Sequence, residues 1–146
     1  MKRAGFTMIE LIFVIVILGI LAAVAIPKLA ATRTDAQVSK ISTEAATLVS
    51  ELGTFYTAQG TFKGKSTADI TNISLKTGST NIQNDKIIVL GDDNNNTCLE
   101  ITFNNVDDGN ITVSADNASG TVCNAVKEAT ADLQKTYNFG GSNVAY

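Results

Sequence analysis

The chain contains two cysteines and no histidine. Without histidine it lacks the commonest general base and the commonest metal ligand. Its many serines and threonines lack their usual activating partner. An enzyme is therefore not expected, and no catalytic residue, cofactor or metal site is assigned. Cys98 and Cys123 are an even pair. In an oxidising compartment they would form one disulfide; otherwise they would be two buried free thiols. One carboxylate stands out by its surroundings: Glu10 is the single charge between residues 6 and 26, inside an apolar run. Such a charge costs about 2.5–3.5 kcal/mol at the centre of a membrane span and less near an end, so it calls for a partner or a function.

Other side chains offer weaker chemistry. Asp92, Asp93, Asn94 and Asn96, and separately Asp107, Asp108 and Asn110, present oxygens of the kind calcium takes. Neither set follows a fixed ligand pattern, and solvated turns account for both. Asn95 with Thr97, and Asn110 with Thr112, form glycosylation acceptor patterns, each with an aspartate two residues before the asparagine. In a chain rich in Asn and Thr such triplets also arise by chance.

The element that positions Glu10 is the apolar run itself. About 21 residues at roughly 1.5 Å each make a helix of roughly 31 Å, the thickness of a bilayer's hydrocarbon core. Lys2, Arg3 and Gly5 precede it; Pro27 and Lys28 follow. Lys2 and Arg3 favour a cytoplasmic start, which Lys28 and Arg33 on the far side weaken. Everything after Pro27 would then lie outside the cytoplasm. Gly19 and Ala23, four residues apart, are small enough to let two helix backbones approach closely in a membrane, although such residues are common in spans in any case. Pro27 lacks an amide hydrogen and crowds the carbonyl of Ala23, so a kink or a local loss of helix is expected around residues 23–27.

Three kinds of segment share these features. One is a secretory signal peptide, with Ala23-Val24-Ala25 as a small-x-small cleavage site; the run is long for that, and a carboxylate sits near its start. The second is a plain membrane anchor. The third follows from the order Gly5-Phe6-Thr7-Met8-Ile9-Glu10, behind a short basic leader and closed by Pro27. This resembles the N-terminal segment of the type IV filament family, the pilins and the pseudopilins of type II secretion. The resemblance runs from Gly5 to about Val38; beyond that only the architecture is similar.

The resemblance implies a leader at residues 1–5, a transmembrane and polymerisation helix at 6–26, and a soluble headgroup at 27–146. It implies cleavage between Gly5 and Phe6 by a prepilin peptidase, methylation of the new Phe6 amine, and packing of the helix with its copies in a filament core. Glu10 would set the register there, and the stretch 19–26 is a candidate to become extended in the filament. The partners implied are copies of itself, related pilin-like subunits, the peptidase and methyltransferase, the inner membrane and the assembly platform. A small-molecule substrate is not expected. The net charge of −3, more acidic still once Lys2 and Arg3 are removed, disfavours broad nucleic-acid binding and leaves a local patch open. The location implied is the inner membrane before assembly, then an extracellular filament or a periplasmic pseudopilus. Major pseudopilins carry calcium in a region comparable to the acidic turns.

At 146 residues the chain has room for one small domain besides the anchor. Val38, Ile41, Ala45, Leu48, Leu52 and Phe55 recur at threes and fours, an apolar stripe wide enough to cover a small sheet. Asp35 would help start this half, and Gly60 ends it. Residues 60–84 read as a long polar connection anchored by Phe62, Ile70, Ile73 and Leu75, with a short helix from Ser66 or Thr67. Three strands follow: an apolar run at residues 87–90, then Leu99, Ile101 and Phe103 in alternation, then Ile111 and Val113. Turn signals separate them, with Asp108 and Gly109 in the second. Strict alternation would point Cys98 away from the helix, so Cys123 would reach the outer face or edge of the sheet. This is similar to the disulfide-bounded C-terminal region of many pilins. Val122, Val126, Ala129, Leu133 and Tyr137 have helical spacing, and residues 138–146 would be loop or a last edge strand.

The fold class is therefore α+β and pilin-like, a long N-terminal helix packed on a small antiparallel sheet of about three to four strands. The function expected is a structural subunit of a type IV pilus-like filament. A type II secretion pseudopilin is the alternative, and a monomeric anchored or secreted binding domain is an alternative of a different class.

Overall fold

The computed structural model describes residues 4–140, so Lys2 and Arg3 of the leader and the last part of the expected tail lie outside the described residues. The chain divides into two units, Met1–Asp35 and Ala36–Tyr146. Helix α1 (Met8–Gln59) contributes to both.

Thr7 starts α1. Its carbonyl accepts the first helical bond from the Leu11 N–H, and its hydroxyl accepts from the Glu10 N–H at 3.3 Å, the bond of an N-cap residue. Gly60 ends it with φ +73° and an N–H bond of 2.7 Å to the Tyr56 carbonyl, a left-handed cap that glycine adopts without strain. Pro27 lies inside the helix, which is unbroken there. The local loss of helix expected around residues 23–27 is absent. A proline removes one bond, and the neighbouring turns hold the helical path.

In the second unit, α1 buries Ile41, Ala45, Leu48, Val49, Leu52 and Tyr56. Four antiparallel strands form a meander in the order β1 (Lys86–Gly91), β2 (Thr97–Asn105), β3 (Asn110–Ser114) and β4 (Thr136–Asn138). The register aligns Ile88, Ile101 and Val113 in one row, and Phe103, Ile111 and Tyr137 in another. These residues and the α1 stripe share a single hydrophobic core. The stripe on the helix and the period-two pattern on the strands each have one apolar side, and each covers the other.

The segment between α1 and β1 is packed rather than loose. Phe62 and Ile82 are fully buried, and Phe62 meets Phe103 edge-on at 5.2 Å. Helix α2 (Thr67–Ile70) has a capping box made by Ser66 and Asp69. The Thr67 N–H donates to the Ser79 carbonyl, and the Ile82 N–H to that of Lys65, folding the segment back on itself.

Helix α3 (Gly120–Ala129) packs against β2 and is shorter than its apolar spacing suggested. Thr130 is buried and donates its hydroxyl to the Val126 carbonyl, closing the helix. A turn of 3-10 helix follows at Ala131–Leu133, and Tyr137 lies in β4 opposite Ile111 instead of continuing the helix. Pairing along the free edge of β3 satisfies backbone groups that a longer α3 would leave open.

Candidate functional site

Residues 4–7 are not helical and precede the first turn of α1. Gly5 has open space where a Cβ would sit, and Phe6 is 86% exposed. The bond between them is thus in an accessible, irregular stretch just before a helix.

Glu10 lies in the first turn, where the unpaired amides of a helix start favour a negative charge. Thr7-Met8-Ile9-Glu10 is a Thr-x-x-Glu capping pattern. The Thr7 hydroxyl makes its half of that box. Among the described residues, the Glu10 carboxylate has neither a hydrogen bond nor an ion pair. Thr7 is a residue that attention to charge alone passes over, although the capping pattern was legible.

From Leu11 to Ile26 the helix carries no charged or polar side chain. Residues 4–33 are all exposed, including Leu11, Phe13, Ile17, Leu21 and Ile26. The helix is long and apolar enough to cross a membrane. Among the described residues nothing outside the helix's own backbone lies within 4 Å of the position a Gly19 Cβ would take, and Ala23 is exposed on the same helix. Pro27 follows on the same exposed stretch. Glu10, Gly19, Ala23 and Pro27 are therefore spread along one open helix and are not gathered into a pocket.

Cys98 and Cys123 form a disulfide between β2 and α3. Both are fully buried and belong to the same core as Leu99, Ile101 and the α1 stripe. Helix α3 packs against β2, and the bridge lies buried between them. The ladder slips between Leu90 and Gly91: Leu90 pairs with Leu99 and Gly91 with Thr97, leaving Cys98 unpaired. Such a bulge interrupts the alternation on which parity depends.

The acidic turns are organised by their own hydrogen bonds. One Asp92 oxygen accepts from the Asn94 and Asn96 N–H groups, and the other from the Asn96 side chain at 2.9 Å. Burial alone would raise the Asp92 carboxyl. The hydrogen bonds from Asn96 and Asn94, helped by the Lys76 charge, outweigh it and hold the group below the ordinary aspartate range. Asp93 accepts from the Gln37 side chain. In the second turn, Asp108 accepts from the Asn105 side chain and Asp107 lies 3.7 Å from Lys63. Among the described residues no three acidic or cysteine side chains gather as a metal site would require.

Comparison with known proteins reaches the same segment. Residues 1–26 match the family described as the prokaryotic N-terminal methylation motif. No curated protein and no solved structure matches the chain. The N-terminal segment of this chain is the prepilin signal of type IV pilins and pseudopilins, carried on a pilin-like α+β fold.

Proposed function

We propose that the chain is a structural subunit of a type IV pilus-like filament, cut between Gly5 and Phe6, methylated on Phe6 and polymerised through α1. The observation that carries this reading is an exposed helical stretch, residues 8–26, that is apolar except for Glu10 and lies within a methylation motif. In the membrane, lipid covers those side chains. In the filament, copies of the same helix would cover them, and Gly19 and Ala23 would let the backbones approach. The headgroup keeps its own core and sets what the filament touches. The disulfide-bounded C-terminal end favours pilin over pseudopilin.

Glu10 supplies the register. Near the cytoplasmic interface its carboxylate is tolerable, because water and the helix start offset its cost. In a filament core with little water an unpaired carboxylate becomes expensive. The Phe6 amine of a neighbouring copy relieves that cost at one axial offset only. Glu10→Ala should insert, mature to a Phe6 start and accumulate normally, yet fail to polymerise unless mixed with wild-type copies. Normal filament number and length in that variant would remove Glu10 from this role. A mature N-terminus at Ile26 would overturn the filament reading altogether. Microscopy of filaments sheared from cells with this subunit tagged or deleted separates pilin from pseudopilin.

A further inference from the structure

Four Asn-x-Ser/Thr triplets occur in the chain, at Asn72, Asn95, Asn110 and Asn117. An acidic residue two positions earlier, which strengthens acceptors for bacterial oligosaccharide transfer, precedes only Asn95 (Asp93) and Asn110 (Asp108). The structure separates these two. Asn110 is in β3, paired with Asn105 and Asn138. Its side-chain amide donates to Asn138, and its carbonyl accepts from Asn104. A sugar on that nitrogen would have to fit beside the Asn138 side chain and would crowd one of the side-chain contacts between β3 and β4. Asn95 lies between β1 and β2, exposed, at φ +62°. Among the described residues its side chain makes no hydrogen bond, while its N–H donates to the Asp92 carbonyl. Asp93 is exposed beside it and accepts from Gln37, and among the described residues the Thr97 hydroxyl receives only the exposed Lys76 ammonium, at 2.9 Å.

We propose that Asn95 is the site of an N-linked glycan, added outside the cytoplasm; this rests on the export of the headgroup proposed above. The donor class is a lipid-diphosphate-linked oligosaccharide. The Asn95 amide nitrogen attacks C1 of the first sugar and an N–C bond forms. The C1–O bond to phosphate breaks, the lipid diphosphate leaves with the electron pair, and a base of the transferase takes the amide proton. The hydrogen bonds that Asp92 makes to Asn94 and Asn96 hold the loop as an outward turn, so the folded domain accommodates the product without losing a contact of its core. Asn95 has positive φ, which glycine adopts without strain, so Asn95→Gly removes the acceptor and keeps the turn.

The test is peptide mass mapping of the processed protein from its own cells, after reduction and cleavage at Lys, Arg and Glu. Cleavage at Glu100 separates Asn95 from Asn110 and Asn117. A sugar mass increment is expected on residues 87–100. It should vanish in Asn95→Gly, which keeps the turn, and in Thr97→Ala, and persist in Thr97→Ser and Asn110→Gln. An unmodified 87–100 peptide, or an increment confined to residues 101–127, overturns the proposal. The same digest reports the N-terminus. A Phe6 start with unmodified Asn95 overturns the glycan alone, whereas glycosylated Asn95 on an uncut chain overturns the processing reading and upholds the glycan.

Discussion

The Cys98–Cys123 bridge is the most quantitative handle on the headgroup. Its partners are 25 residues apart, on β2 and α3, and both are fully buried. Closing a loop of that length removes unfolded-state entropy worth about 3.5 kcal/mol on the chain-entropy model. Small domains are stable by about 5–15 kcal/mol, so the bridge is a large share of the total. The unit Ala36–Tyr146 has about 110 residues. At ~2.1 cal/mol/K of unfolding entropy per residue, losing the bridge should lower Tm by about 15 °C. Replacing the cysteines would also remove buried sulfur, which adds a packing loss. The cleaner comparison keeps every atom: the same chain unfolded and refolded with and without reductant, followed by circular dichroism on heating. Thiol titration must show two free thiols in the reduced sample. A reduced sample that melts within about 3 °C of the oxidised one would refute the loop-closure reasoning. Free thiols in the untreated folded protein would refute the bridge.

Gly109 has φ +65°, and a Cβ there would stand 2.6 Å from the Tyr56 ring. Gly109→Ala should therefore cost about 2–3 kcal/mol in denaturant unfolding. Tyr56→Phe, which loses only the bond from the Tyr56 hydroxyl to the Asp107 carbonyl, should cost about 1 kcal/mol in the same assay. The lowered Asp92 carboxyl stabilises the fold fully above its unfolded value of about 3.9, and that contribution is lost as pH falls through the depressed folded value. Asp92→Asn should flatten the acid limb of stability measured from pH 5 downward; an unchanged slope would place the acid sensitivity elsewhere. Gly5→Val adds a side chain beside the scissile bond and should leave full-length precursor in the membrane, visible by immunoblot. Normal mature length would mean that cleavage does not occur there.

Local pattern was enough for the parts of this protein whose physics is local. An apolar run of membrane length, a lone carboxylate one turn into it and a glycine before it were legible, because each depends on neighbours a few residues away. The Ile41-to-Phe55 stripe and the strands around Ile101 and Val113 were legible for the same reason: a helix or strand with one apolar side must find a partner. The rest needed long-range contacts. Ile82 looks like an isolated apolar residue in a polar stretch, and only the fold of that stretch onto Phe62 and Phe103 buries it. The bulge at Leu90 and Gly91 leaves Cys98 without a partner in the ladder, because register belongs to a pair of strands and not to either one. Leu133 and Tyr137 keep helical spacing, yet an open edge on β3 draws Tyr137 into a strand. Asn95 and Asn110 share one acceptor pattern. They differ because one stands in a turn and the other is held between two strands, which only pairing across the sheet decides.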